Sequence, residues 1–76
     1  DKQSIVVQIT NRDRIRIRGR DIDFRAVRAN IERLHAENPD APVVVQPHPD
    51  STTETMIHVM DSARQAGVYS VSIAAT

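Results

Sequence analysis

The most informative part of this chain for its architecture is residues 41–75, APVVVQPHPDSTTETMIHVMDSARQAGVYSVSIAA. The short apolar run Val43–Val45 is typical of a central strand, and the prolines after it end the strand because they cannot donate to a ladder. A helical pattern follows up to Gly67, a residue type that often ends helices. Residues 69–75 then alternate apolar with small polar side chains, which predicts a last strand. The stretch therefore predicts a strand–helix–strand unit.

The helix inside this unit has a start signal and an amphipathic pattern. Ser51 and Glu54 have the spacing of a capping box. The apolar side chains that recur at helical spacing are Met56, Ile57, Met60, Ala63 and Ala66. The polar face consists of Glu54, His58, Asp61 and Gln65. We expect the apolar stripe to pack on the sheet, with the two methionines as core filler.

The N-terminal part predicts a β-hairpin. Residues 5–10 alternate at period two with β-branched side chains, as strands do. Residues 11–13, Asn-Arg-Asp, tolerate the backbone of a tight turn. Residues 14–18 alternate arginine with isoleucine and predict a second, half-buried strand, which Gly19 and Arg20 are expected to end.

A first helix is predicted after the hairpin. Asp23 has the chemistry of an N-cap, since its carboxylate can accept from the free N–H groups of a first turn. The apolar stripe is Phe24, Val27, Ile31 and Leu34, and the other side carries Arg25, Arg28, Glu32 and His35. Pro39 predicts the end of the helix near Glu37.

These elements predict a single α+β domain over residues 1–76. Their order is β-β-α-β-α-β, so the expected architecture is a two-layer sandwich, a mixed four-stranded sheet with two helices on one face. The chain begins with Asp1 rather than methionine, so we expect it to be a piece of a longer protein.

Composition excludes several classes of function. Ten basic and ten acidic residues cancel, which argues against a general polyanion binder. There is no cysteine, hence neither a disulfide framework nor a thiolate metal site. Apolar runs reach only three residues, so the sequence predicts neither a membrane span nor a signal peptide. The charge is uneven: residues 1–38 carry nine basic and six acidic side chains, a net charge of +3, and the remainder carries −3.

No residue pattern points to an enzyme, a metal or a cofactor. The three histidines, His35, His48 and His58, lack metal-ligand spacing, and we expect them to be solvated. Asp21 and Asp23 form a carboxylate pair that helix capping explains. A small hydrolase or phosphatase would need a nucleophile or an arginine–asparagine pair that the sequence does not reveal. An activity screen against simple esters and phosphates tests that alternative.

Arg14, Arg16 and Arg18 are a candidate docking face, since they should project from one side of the second strand. The simpler interpretation is an exposed strand kept soluble by charge. The functional interpretation is a surface that binds an acidic partner segment or a polyanion such as RNA or a cell-wall polymer. Recognition of RNA on a sheet favours exposed aromatic side chains, and the chain has only Phe24 and Tyr69, so no nucleic acid partner is expected.

The last strand is a candidate site for a dimer or a partner strand. It has no charged residue, so its edge is the one least protected against pairing. The residues concerned are Tyr69, Ser70, Val71, Ser72, Ile73 and Ala74. A second copy would also supply burial that 76 residues lack.

The second helix carries a specific resemblance. The pattern E-T-x-x-x-V-M-D-x-x-x-Q-A-G over residues 54–67, followed by Val71-Ser72-Ile73, resembles the C-terminal signature of the ExbD/TolR family, and ExbD in particular. Residues 38–45 are similar to the family's approach to its central strand. The glycine, capping and packing positions of this pattern identify a fold more firmly than an active group.

The resemblance implies a bacterial inner-membrane protein with one membrane helix, absent from this chain, and a small periplasmic domain. It also implies that the protein functions together with an ExbB/TolQ-like channel subunit, and that the two use the proton-motive force to energise a TonB/TolA-like protein. The cargo of such systems includes iron–siderophore complexes and vitamin B12. The proton-carrying aspartate of the family lies in the membrane helix, so no aspartate of this chain inherits that role.

Overall fold

Five strands and two helices make up the part of the chain that the computed structural model describes, residues 4–74. In chain order they are β1 (Ile5–Ile9), β2 (Ile15–Ile17), β3 (Arg20–Ile22), α1 (Val27–Glu37), β4 (Val43–Pro47), α2 (Thr53–Gln65) and β5 (Val71–Ile73). A single 3₁₀ turn, Phe24–Ala26, leads into α1. The predicted α+β class, with a mixed sheet and two helices, is confirmed.

The strands form one sheet in the order β3-β2-β1-β4-β5. The first three are antiparallel neighbours, which is the consequence of two short hairpins. β4 pairs parallel with β1, and β5 parallel with β4, after helical crossovers. The sheet therefore has β3 at one edge and β5 at the other.

The core lies between the sheet and the helices. In each of β1, β2 and β4 the buried side chains alternate, so they all lie on one face. α1 contributes Val27, Ile31 and Leu34, and α2 contributes Val59 and Ala63. The helices contact each other, and α2 contacts β1 and β4. Gln8 and Arg16 lie exposed on the opposite face, so the fold has two layers.

The predicted count of four strands is wrong, because the chain continues into β3 where a break was expected. Arg18 and Gly19 have φ of 54° and 79°. Positive φ at both central residues of a two-residue loop is the conformation of a type I′ hairpin turn. Gly19 thus reverses the strand, and Arg20 pairs with Ile17 on the far side. β2 is correspondingly shorter than predicted, since Arg14 and Arg18 lie outside it.

The start of the first helix also differs from the prediction. Asp23 Oδ1 accepts a hydrogen bond from the Arg25 N–H at 2.8 Å, but it caps the 3₁₀ turn and the α-helix begins only at Val27. Phe24, expected in the core stripe, is 48% exposed because the turn rotates it away from the sheet. His35, expected to be solvated, is half-buried and its Nδ1 atom is buried without a hydrogen-bond partner. The end of α1 at Glu37 agrees with the prediction.

α2 begins one residue later than the capping box predicted. Its N-cap is Thr52, whose Oγ1 accepts from the Thr55 N–H at 3.4 Å. The buried residues of α2 are Thr55, Val59, Ser62 and Ala63. Ile57, expected in the apolar stripe, lies on the outer side of the helix and is 51% exposed. The helix ends before Gly67, whose φ of 95° fits the predicted stop.

Candidate partner-binding edge

The predicted partner-binding segment forms the β5 edge of the sheet and its two flanks. Tyr69 and Ser70 precede the strand, residues 71–73 form it, and Ala74 follows. The predicted strand 69–75 is thus shorter in the structure, and Ala75 lies outside the described residues. Among residues 4–74, β5 pairs with β4 alone, on one of its two sides.

The backbone of β5 is divided between β4 and the open side. The Ser70 C=O accepts from the Val43 N–H at 2.9 Å, and the Ala74 N–H donates to the Val45 C=O at 2.9 Å. In a parallel strand, every second residue directs both its N–H and its C=O toward the same neighbour. Ser72 lies midway between Ser70 and Ala74, so its N–H and C=O also face β4. The corresponding groups of residues 71 and 73 therefore face away from the sheet, where a further strand would pair.

Side chains next to this edge are apolar and accessible. Tyr69 is 84% exposed and Ile73 is 48% exposed. Ile73 and Met56 also line an open groove of about 310 Å³ between the end of β5 and the start of α2, bordered by the loop after β4. The arrangement can accept an extended backbone at the edge and a side chain in the groove.

A contact between the first turn and α2 shapes this groove. Asp13, at a φ of 59° in the β1–β2 turn, has a carboxylate oxygen Oδ1 that accepts from the Thr52 N–H at 2.7 Å and lies 3.2 Å from its hydroxyl. The bond holds the N-terminus of α2 in place over the sheet. The sequence did not predict this contact, because the two residues lie 39 positions apart.

The three arginines of the candidate docking face have separate surroundings. Arg16, in β2, forms a salt bridge with Asp21 of β3, with 2.9 Å between Nε and Oδ1. Arg14 lies before the strand, where its N–H donates to the Thr10 hydroxyl oxygen. Arg18 lies in the tight turn between β2 and β3. The structure therefore places one of the three on the strand and the others at its two ends.

An aromatic pair that the sequence did not predict joins the 3₁₀ turn to α2. The rings of Phe24 and His58 stack with their centroids 3.7 Å apart and their planes 9° from parallel. His58 Nε2 also lies 2.7 Å from the Phe24 C=O oxygen. The only sequence signal was that each residue sits on a helical pattern. Residues 34 positions apart give no hint of a contact.

The described residues also bear on metal sites and membrane spans. Residues 4–74 contain no group of three or more histidine, aspartate or glutamate side chains placed to hold a metal ion. None of the helices in the same residues is both long and apolar enough to cross a membrane.

Comparisons with known proteins decide the family. The model of the family described as "Biopolymer transport protein ExbD/TolR" matches residues 1–76. The chain belongs to the ExbD/TolR family. It is 39% identical over 71 residues to the biopolymer transport protein exbD2 of Vibrio cholerae serotype O1 (strain ATCC 39315 / El Tor Inaba N16961). That alignment covers 93% of this chain and 53% of the relative, so the chain spans about half the length of the curated relative it matches. The resemblance that residues 54–67 carry is confirmed, and the family is described by transport rather than by catalysis.

Proposed function

We propose that this ExbD/TolR-family chain is the periplasmic domain of a single-pass inner-membrane subunit that couples the proton-motive force to TonB-dependent or Tol-type transport at the outer membrane. In this role the domain dimerises and binds a TonB/TolA-like protein. An ExbB/TolQ-like channel subunit meets the membrane helix of the same protein. The domain itself carries out no catalysis and binds no cofactor.

The observation that carries the proposal is the open edge of β5. The N–H and C=O groups of Val71 and Ile73 face away from β4, in a strand without a charged side chain. Such an edge is a template for strand addition, in which main-chain hydrogen bonds supply affinity and neighbouring pockets supply specificity. The groove lined by Met56 and Ile73 is such a pocket.

Coupling requires that the partner bind one state of the whole protein better than another. A strand added to β5 would be fixed to the sheet and, through β4, to the central strand β1. β1 begins at Ile5, at the end of the domain where a preceding membrane helix would enter. A force that pulls on the partner would thus be transmitted through the hydrogen-bonded strands of the sheet to the start of β1.

Ile73→Pro tests the edge. Proline removes an N–H that faces away from β4, so the internal ladder is kept and only the added strand loses a donor. We expect binding of a purified TonB- or TolA-type periplasmic fragment, and self-association of the chain, to weaken at least tenfold, about 1.4 kcal/mol. Titration calorimetry and analytical ultracentrifugation measure the two effects.

Ile73→Val is the matched control, because it keeps the N–H and a β-branched side chain in the strand. It should bind within about twofold of the unchanged chain. Undiminished association of a correctly folded Ile73→Pro variant would contradict the edge proposal.

Arg14, Arg16 and Arg18 stay a predicted docking face within this proposal. Changing all three to serine separates the two interpretations. Unchanged folding with lost transport favours docking, whereas unchanged transport with poorer solubility favours a purely solubilising role.

The coding sequence ahead of Asp1 tests the membrane part of the proposal. It should encode about 20 apolar residues with one aspartate among them, preceded by a basic flank. A gene that encodes no such segment would overturn the assignment to the inner membrane.

A further inference from the structure

A second cluster of arginines, different from the candidate docking face, comes together only in the folded chain. Arg18 of the tight turn, Arg20 of β3 and Arg33 of α1 line one cleft of about 220 Å³ between the β2–β3 hairpin and the helix. Glu37 is the only acidic residue in its lining, so the lining has a net charge of +2. We call this space, with the three arginines that line it, the hairpin–helix cleft.

The arginines are available to a ligand. All three side chains belong to exposed residues. Among residues 4–74 the salt bridge of Arg16 with Asp21 is the only one, so none of the three arginines forms an ion pair with a described carboxylate. Arg33 is oriented by a hydrogen bond from its Nη2 to the Asn30 side-chain oxygen at 3.1 Å.

A different element of the fold brings each arginine to the cleft. Arg20 pairs with Ile17, a core residue, so its side chain leaves the sheet on the helix side. Arg18 sits at the tip of the turn that brings the chain back. Arg33 lies on α1 one turn before Glu37, where the helix passes the hairpin.

The cleft lies at the end of the sheet where β1 begins. Val7 pairs with Ile17 in the antiparallel ladder, and continuing this register by two residues brings Gly19 level with Ile5. The same end receives the C-terminus of α1, because the loop after it leads to Val43, the parallel partner of Ile5. A membrane helix ahead of this chain would therefore place the cleft against the bilayer surface.

Phosphate is the ligand chemistry that the cleft favours. A guanidinium presents a planar fork of donors that matches two phosphate oxygens, and three of them converge here on one concave surface. The absence of an aromatic side chain from the lining argues against a nucleotide base. An exposed cleft at the bilayer end would meet the phosphates of lipid headgroups at high local concentration.

We propose that Arg18, Arg20 and Arg33 bind the phosphate groups of anionic phospholipids and so hold the domain against the membrane surface. The position of the cleft next to the bilayer rests on the proposed function, whereas the clustering of the three arginines does not. The interaction fixes one face of the domain toward the bilayer and leaves the β5 edge free for a partner.

The test measures sedimentation of the 76-residue chain with lipid vesicles. One set consists of phosphatidylglycerol and phosphatidylcholine in equal parts, and the other of phosphatidylcholine alone. The cleft variant changes Arg18→Asn, Arg20→Gln and Arg33→Gln, with asparagine chosen because it tolerates the positive φ of the turn. The control variant changes Arg12→Gln, Arg25→Gln and Arg28→Gln, an equal loss of charge at the opposite end of the sheet.

We expect binding only to the anionic vesicles. A loss of about fivefold per arginine, or roughly 100-fold for the cleft variant, follows from the attraction of single cations to an anionic surface. The control variant should lose much less. Arg33→Gln alone leaves the turn intact and should still lose about fivefold, so the test does not depend on the folding of the triple variant.

Three results would overturn the proposal: equal loss in both triple variants, equal binding to both vesicle types, or no vesicle binding. In the last case, titration with inorganic phosphate identifies a free phosphate as the ligand, and titration with polyglutamate identifies an acidic polypeptide. The partner-binding assays contain no lipid, so failure of the edge proposal and failure of this one are read separately.

Discussion

The two edges of the sheet differ in sequence, in how they are attached and in what they expose. β3 carries Arg20 and Asp21, is joined to β2 by a two-residue turn, and has Asp21 in a salt bridge with Arg16 of β2. β5 carries no charged side chain and reaches the sheet after a helical crossover. Both have three residues, so length does not distinguish them.

This contrast shows how one small sheet can keep one edge closed and leave the other available. Charged side chains on an edge discourage pairing with another chain. The β5 edge lacks this protection, and it borders a groove that includes Ile73. We interpret β3 as a protected edge and β5 as the edge that another strand extends.

The largest effect expected from breaking this arrangement comes from Ser72→Pro. The N–H of Ser72 faces β4, so proline there removes an internal ladder bond and leaves a carbonyl of β4 unsatisfied. We expect the free energy of unfolding to fall by about 2–3 kcal/mol. Urea denaturation followed by circular dichroism measures it.

Ile73→Pro, one residue along, is the control for that change. Its N–H faces outward, so stability should fall by only about 1 kcal/mol, mostly from lost side-chain packing. Equal losses for the two proline variants would show that the alternation of bonds along β5 has been assigned wrongly.

At the other edge, Gly19→Val should cost about 1–2 kcal/mol, because a β-branched residue does not adopt a φ of 79° without strain. Outside Gly19 and its two chain neighbours, no atom lies within 4 Å of the position that a Cβ would take, so the cost comes from local backbone strain and not from a clash with the rest of the fold. Denaturation with urea again provides the measurement.

Arg18→Asn is the complementary change in the same turn. Asparagine tolerates the positive φ at this position better than arginine, so stability should rise by about 0.5–1 kcal/mol. A decrease would indicate that the arginine side chain stabilises the hairpin more than its backbone strains it.

The smallest effect is expected for Asp21→Asn, which breaks the salt bridge with Arg16. The two side chains are 56% and 48% exposed, so water and salt screen the pair. We expect a loss of about 0.2–1 kcal/mol that shrinks as salt is added. New self-association of this variant, detected by analytical ultracentrifugation, would show that the charge of β3 keeps its edge closed.

Local sequence patterns were enough to predict the class of the fold, most of its elements and its family. The periodicities of residues 5–10, 27–37 and 53–65 come from burial on one face, which local order along the chain records directly. The lack of charge in the last strand was equally visible. The motif over residues 54–67 indicated the family because its glycine, capping and packing positions are set by the local fold.

Features that depend on distant residues or on a single backbone angle became visible only in the folded chain. β3 exists because Arg18 and Gly19 both take positive φ, and a three-residue strand is too short to show a period. Phe24 was turned outward by a 3₁₀ turn that helical spacing does not distinguish from an α-helix. The cleft of Arg18, Arg20 and Arg33 depends on where α1 crosses the hairpin. Periodicity reports which face of an element is buried, whereas the contacts between elements are fixed only when the sheet and helices pack together.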